Sequence, residues 1–377
     1  MELRRENISQ YLREHLSDID LFDKDTQIDA IEIGDGNLNY VYRVFDTSNP
    51  VRSIVLKQAP PYIKILGPDY PLPPERLTFE YQALKTFTEF TSDTIPILYY
   101  FDNESAILAM EDLQEYRLLR DELIEGHVNP SIPMKIGRFM GIVHSHTYFR
   151  NLDNKTVQEY KNKFDNSIMQ EITADYVFTL PFTQHETNFY TEGLKTVVEQ
   201  LKSDELFLQQ TYELKSKFQN EQQGLTHGDL HTGSIMVCGE SAKVIDSEFA
   251  FYGPVGFDVG LFWANYLLSY YSHTDNSDVQ SQIKASIIDS WQTYTEEFRT
   301  TNSINEQILQ DIFHESVGFA GMEMLRRIVG AAHVKDIENI ENEERKIIIE
   351  TAILKFAKTI VLEHQNITTI HELIDIL

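Results

Sequence analysis

The chain is short of cysteine, of positive charge and of long apolar runs, and each shortage removes a class of function. One cysteine, Cys238, among 377 residues has no partner for an intramolecular disulfide and no companion for a metal-thiolate site, which fits a reducing compartment. Lysine and arginine total 32 against 59 aspartates and glutamates, a formal charge of -27. A surface of that sign repels polyanions, so nucleic acid and anionic membrane are poor partners, and any phosphate site must create its own positive potential. The first residues, MELRRENISQYLREHL, are charged throughout and lack the apolar core of a signal peptide; they read as a surface helix. The most apolar stretch, Val259 to Tyr271, is shorter than the roughly 20 residues of a membrane span. It also contains Asn265 and Ser269 and is expected to be a buried core helix. Low-complexity tracts and repeats are absent too. Together these absences predict a cytoplasmic protein with no membrane or nucleic-acid partner.

What remains is a globular composition, 42% hydrophobic and 24% charged, in a chain long enough for two lobes. From Ile31 to Lys57 short runs rich in Ile, Val and Tyr alternate with turn residues such as Asp46 to Pro50, the pattern of a small antiparallel sheet. Pro60, Pro61, Pro68, Pro71, Pro73 and Pro74 then interrupt regular structure. A helix is predicted from about Glu75 to Phe90, followed by two strands, IPILYYFD and SAILAMED. Beyond Leu113 the character is mainly helical. The expected division is therefore a sheet-bearing lobe over 1–113 and a larger helical lobe over 114–377, an α+β architecture.

Five groups of residues could carry chemistry. Gly34-Asp35-Gly36-Asn37-Leu38-Asn39 lies between strand-like runs, where glycines let backbone amides approach a phosphate; Asp-Gly-Asn is equally a plain turn, and the GxGxxG spacing is missing. Lys57, on the apolar strand VLKQ, needs anionic partners if buried, and Glu80 in the next helix is the candidate, like the lysine–glutamate pair of protein kinases. The alternative is a strand-edge lysine with its head in water. Met110-Glu111-Asp112-Leu113 closes the first lobe and offers backbone groups to an adenine edge, or is simply a charged loop. Thr226-His227-Gly228-Asp229-Leu230-His231, followed by Asp246-Ser247-Glu248, gives two acidic segments, one able to orient a hydroxyl and the other to hold magnesium. His227, Asp229 and His231 also have the look of a metal-ligand cluster. Finally Arg326 and Arg327 sit on an apolar helical segment, so at least one is expected to face inward, where a guanidinium suits a phosphoryl group; pairing with Glu323 is the plainer reading.

The residues HGDLH at 227–231 resemble the catalytic loop of the aminoglycoside phosphotransferase and choline kinase superfamily, which has the protein-kinase-like two-lobe fold. EIGDGNLNYV at 32–41, VLKQAPPY at 55–62, MEDL at 110–113, THGDLHTGSI at 226–235, EFAFYGPVGFDVG at 248–260 and GFAGMEMLRRIVGAAHV at 318–334 look more specifically like the methylthioribose kinase family. This resemblance implies an ATP- and Mg2+-dependent kinase acting on S-methyl-5-thioribose in methionine salvage. It implies Asp229 as catalytic carboxylate, Asn39 and Lys57 at the nucleotide phosphates, and Glu111, Asp112 and Leu113 as the adenine-binding hinge. Asp246, Ser247 and Glu248 would form the nucleotide-metal segment, with Asp246 and Glu248 as ligands. Arg326 and Arg327 would meet the sugar beside Asp229, and a homodimer is the associated assembly.

Three departures from the wider pattern stand out. Ser234 occupies the place of a metal-binding Asn, Ser247 that of a proline, and Tyr70 that of a tryptophan in the proline-rich segment, which is expected to act as a lid. Kinases of choline, homoserine or an aminoglycoside are the nearest competing readings. A nucleotide-binding scaffold without catalysis would normally have lost Lys57, Asp229 or Asp246.

Overall fold

The computed structural model describes residues 2–16, 21–23, 25–33, 38–300 and 305–377. It resolves into two compact units, Met1–Tyr116 together with Val244–Glu248, and Arg117–Lys243 together with Phe249–Leu377. The first unit thus ends three residues later than the sequence pattern suggests. It also takes in a five-residue segment, carrying Asp246 and Glu248, from far along the chain.

In the first unit, strands β1 (Ile28–Glu32), β2 (Tyr40–Asp46), β3 (Ser53–Gln58), β4 (Leu98–Asp102) and β5 (Ile107–Glu111) form one sheet in the order β1-β2-β3-β5-β4. All its pairings are antiparallel. Ile54 and Leu56 alternate with Val55 and Lys57, so the two sets point to opposite faces of β3. The Ile54 and Leu56 face packs against Ile8, Tyr11 and Leu12 of the N-terminal helix Arg5–His15. That helix therefore covers the sheet with its apolar stripe and shows its charges outward. Lys57, opposite Val41 on one side and Leu108 on the other, is fixed on a central strand whose neighbours leave no freedom of register. The helix Arg76–Thr91 supplies Glu80. Between Ala59 and this helix the proline-rich segment contains a single bridge, Tyr62 with Pro71, and buries Leu72 while leaving Ile65 and Tyr70 exposed.

The second unit is helical. The predicted core helix runs Gly256–Ser272 and is buried from Gly256 through Tyr271; among the described residues no helix is long and apolar enough to cross a membrane. Trp263 is fully buried in it and donates from Nε1 to Ser290 Oγ at 3.0 Å. Phe257 meets Phe319 of the helix Glu306–Val329 edge-on. The helices Ser131–Thr147 and Ser277–Thr300 approach closely because Gly137 and Gly141 offer no side chain: a Cβ at Gly137 would sit 2.3 Å from Ser290 O. Gly137→Ala should therefore force these helices apart. We expect a loss of about 1–3 kcal/mol, as for other overpacked cores, measurable as a lower denaturation midpoint; an unchanged midpoint would show that this contact is slack.

Candidate active site

In the first unit the side chains gather around Lys57, which is 3% exposed. Its ammonium lies 2.9 and 2.7 Å from the two oxygens of Glu80 and 2.5 Å from Asp246 Oδ1. Burial draws the Lys57 pKa down, but Asp246, Glu80 and Glu248 outweigh it and hold the ammonium charged above its ordinary range. Burial likewise pushes Glu80 up, to about 7, against the pull of Lys57. The predicted lysine–glutamate pair is therefore formed, with Asp246 as a third member.

Asp246 has a backbone φ of 63°, the left-handed region that costs most residues about 1–3 kcal/mol and that aspartate tolerates better than most. Its carboxylate is about half exposed, whereas Glu248 is nearly buried. Two carboxylates separated by one residue, one of them open to solvent, form a hard oxygen donor set of the kind magnesium selects. Ser247, buried between them, sends its hydroxyl to Glu80 O at 3.4 Å, so the residue in place of proline ties the segment to the helix.

Asn39 is buried, and its side chain is engaged at both ends. Nδ2 donates to Glu248 Oε2 at 2.9 Å, and Oδ1 accepts from Arg76 at 2.9 Å. Arg76 is the residue that sequence reasoning missed. Fully buried, it donates to the carbonyls of Leu38, Pro60, Leu72 and Pro73 as well as to Asn39, and lies 3.3 Å from Glu248. One guanidinium thus joins Leu38 and Asn39, both ends of the proline-rich segment and one acid of the Asp-x-Glu pair. The only local signal was its place directly after Pro73-Pro74-Glu75. Gly34 to Asn37 lie outside the described residues.

At the end of β5 the acids are structural. Asp112 pairs with Arg43 at 2.5 Å and accepts from Ser53 Oγ at 2.6 Å, while Glu111 Oε2 accepts from Ile97 N at 3.0 Å. Leu113 O accepts from Tyr116 N at 2.9 Å. Any ligand recognition by this segment must use other backbone groups.

The second unit carries the other cluster. Strand Gly224–Thr226 pairs antiparallel with Phe251–Gly253 and delivers the loop His227-Gly228-Asp229. Gly228 has φ +82°, and a Cβ there would lie 2.1 Å from Phe249 O, so only glycine fits. The loop is held from beneath by Asp258, in the first turn of the core helix. Its two oxygens accept from His227 N at 2.7 Å and Gly228 N at 2.9 Å, and His144 Nε2 lies 3.3 Å away. Ser234, in the place of a metal-binding Asn, closes the loop by donating to Asp229 O at 2.9 Å.

Asp229 faces His231 Nε2 at 3.4 Å through Oδ2 and Arg326 Nη2 at 3.9 Å through Oδ1. Burial pushes its carboxyl up, but His231, Arg326 and Arg327 prevail and hold it well below the usual carboxylate range. Both arginines also grip Glu323, at 2.5 Å from Arg326 and 2.6 Å from Arg327. The pairing with Glu323 and the approach to Asp229 are therefore parts of one arrangement. Arg120, from the short helix Leu119–Ile124, and Asp336 extend it: Arg120 Nη2 is 3.3 Å from His231 Nδ1, and Nε is 3.7 Å from Asp336. The zinc-like reading finds no support here. His227 Nδ1 accepts from Asp229 N at 3.3 Å, and among the described residues the one gathering of three or more such side chains is Glu122, Glu125 and His127, where Arg117 already pairs with both acids.

The model of the phosphotransferase enzyme family matches residues 163–293. Methylthioribose kinase of Geobacillus sp. (strain WCH70) is 37% identical over 366 residues, covering 94% of this chain and 90% of that protein. Methylthioribose kinase of Bacillus mycoides (strain KBAB4) is 38% identical over 365 residues, covering 93% and 91%. Among solved structures, a glucosamine kinase in complex with glucosamine, ADP and inorganic phosphate has a TM-score of 0.51 at 13% identity, covering 94% of this chain and 86% of that one. A choline kinase from Cryptosporidium parvum Iowa II gives 0.50 at 14%, covering 93% and 95%. The fold is the kinase-like two-lobe fold of the small-molecule phosphotransferases. Within that class, the chain belongs to the methylthioribose kinase family.

Asp258 gives this site its most direct structural test. Asp258→Ala would leave two buried amides without acceptors, and hydrogen bonds to a charged group contribute about 1.5–3 kcal/mol each. A fall in unfolding free energy of that order is expected, together with faster amide exchange at His227 and Gly228; wild-type exchange there would contradict the assigned support.

Proposed function

We propose that this protein transfers the γ-phosphoryl group of ATP to the anomeric hydroxyl of S-methyl-5-thioribose, giving the 1-phosphate in methionine salvage. The observation that carries this reading is Asp229 facing Arg326 at 3.9 Å, with Arg327 held beside Arg326 on the shared Glu323, in a chain that proteins named methylthioribose kinase match over nearly its whole length. Asp229 orients the acceptor hydroxyl and takes its proton as the new oxygen–phosphorus bond forms and the bond to the bridging oxygen of ADP breaks; the proton then passes to solvent. Arg326 and Arg327 bind the sugar and offset charge on the group in transfer. Lys57 holds the nucleotide phosphates, with Asn39 near them, and the backbone of Glu111, Asp112 and Leu113 receives the adenine. Asp246 and Glu248 would hold Mg2+, which when bound would neutralise charge on the nucleotide phosphates. The proline-rich segment acts as a lid, and the enzyme works in the cytoplasm as a homodimer.

The roles separate experimentally. Asp229→Asn keeps the shape but removes the base, so kcat should fall on the order of 10² to 10⁴, while ATP binding measured by calorimetry stays near wild type. Lys57→Ala should change ATP KM and kcat together. Because the Asp229 carboxyl is depressed, it is charged above its ordinary pKa near 4 and loses that charge only as pH falls below it. The wild-type kcat/KM profile should therefore show no acid limb from this group above about pH 5. Near wild-type turnover by Asp229→Asn would rule out this role.

A further inference from the structure

His231 lies two residues beyond Asp229 and is almost wholly surrounded by groups whose hydrogen-bonding roles are fixed. Its Nδ1 accepts from the backbone amide of Gly233 at 2.9 Å and lies 3.3 Å from Arg120 Nη2. A peptide N–H and a guanidinium can only donate. Ser234 Oγ is also 3.3 Å from Nδ1, but the hydroxyl spends its single proton on Asp229 O at 2.9 Å. Two fixed donors thus require a lone pair on Nδ1, which puts the ring proton on Nε2, and Nε2 faces Asp229 Oδ2 at 3.4 Å. Arg120 is itself held by Asp336 and Asn265, and its guanidinium packs on Gly233, where a Cβ would meet Cζ at 2.9 Å.

We infer that His231 is a positioning residue: Arg120 and the Gly233 amide lock it as the neutral Nε2–H tautomer, and its N–H holds Asp229 Oδ2 so that Oδ1 is left for the acceptor hydroxyl. The inference rests on the proposed role of Asp229 and adds two things to it. His231 already carries its proton on the nitrogen facing Asp229, so it orients the carboxylate and does not receive the substrate proton. Arg120, one position further back, sets the tautomer. Burial lowers the His231 pKa, with Arg120 and Arg327 acting in the same direction against Asp229, which agrees with a neutral ring. The charged groups facing this chain of contacts are Asp229, Arg120 and Arg327 on His231, Arg326 and Arg327 on Asp229, and Arg327, Asp336, Asp229 and Glu323 on Arg120.

The tautomer is read directly by long-range 1H–15N correlation on the 15N-labelled full chain at pH 7, with the His231 signal assigned by its loss in His231→Gln. A bare Nδ1 and a protonated Nε2 are expected; a protonated Nδ1, or an imidazolium, overturns the inference. Kinetics give the second reading. Loss of one hydrogen bond to a charged group should lower kcat for His231→Ala about 10- to 100-fold, with a smaller change in sugar KM. The Asp229 carboxyl, freed of its donor, should rise toward its ordinary pKa, so that activity is lost on the acid side at higher pH than in wild type. His231→Gln, which keeps an N–H near the position of Nε2, should recover most of the rate and the wild-type profile. A His231→Ala enzyme with wild-type kcat and pH profile overturns the proposal, and if that variant does not fold, the spectrum of the wild type and the Gln variant decide it. Failure of the underlying functional reading looks different, because Asp229→Asn would then retain turnover.

Discussion

Asp258 accepting the His227 and Gly228 amides is the contact on which the placement of Asp229 depends. A loop bearing a catalytic group must leave the strand that carries it, and the amides it exposes need acceptors if water is excluded. Asp258 supplies both from the first turn of the most buried helix in the molecule, with His144 behind it. The position of Asp229 is thereby referred to the core rather than to a surface loop. Gly228 completes the arrangement, since only a residue without Cβ can turn this tightly against Phe249 O.

Charge is handled in both units by compensation inside small networks. Lys57 is surrounded by Glu80, Asp246 and Glu248; Asp229 has Arg326 and Arg327 near it, with His231 as a hydrogen-bonding neighbour; Glu323 and Asp336 answer the arginines in turn. An acidic protein thus gathers its few cations where acidic partners already hold them in place. Removing one member strands the others in a poorly solvated setting, so such networks make poor sources of stability but precise means of orienting side chains. Arg76 shows the same economy: its guanidinium binds four backbone carbonyls and Asn39 beside Glu248.

Much of this was legible in the sequence where chemistry and local pattern coincide. The short apolar run SIVLKQ placed Lys57 on a strand, the helical spacing after the prolines placed Glu80, and HGD with Asp-x-Glu marked the acids. The supports were hidden because they come from elsewhere in the chain. Asp258 lies about thirty residues beyond the amides it caps, and its first-turn position on an apolar helix reads as an ordinary dipole-favoured acid. Arg120 and Asp336 join the His231 network from two short helices separated by most of the second unit, with nothing in their local sequence to mark them. The expected division also left Val244–Glu248 with the helical lobe, because that segment is remote in sequence from the compact unit in which it lies. The hydrogen bonds of Asn39 to Glu248 and Arg76 were likewise not marked by local sequence.

The proposed role of Asp229 is to activate one particular hydroxyl of a thiosugar. Its most direct measurement is the regiochemistry of the product formed by purified protein from ATP and S-methyl-5-thioribose, read by phosphorus–proton coupling in NMR. A single phosphomonoester whose phosphorus couples to the anomeric proton is expected, formed together with stoichiometric ADP. Phosphorylation at the 2- or 3-hydroxyl, a mixture of esters, or ADP release without a sugar phosphate would contradict it.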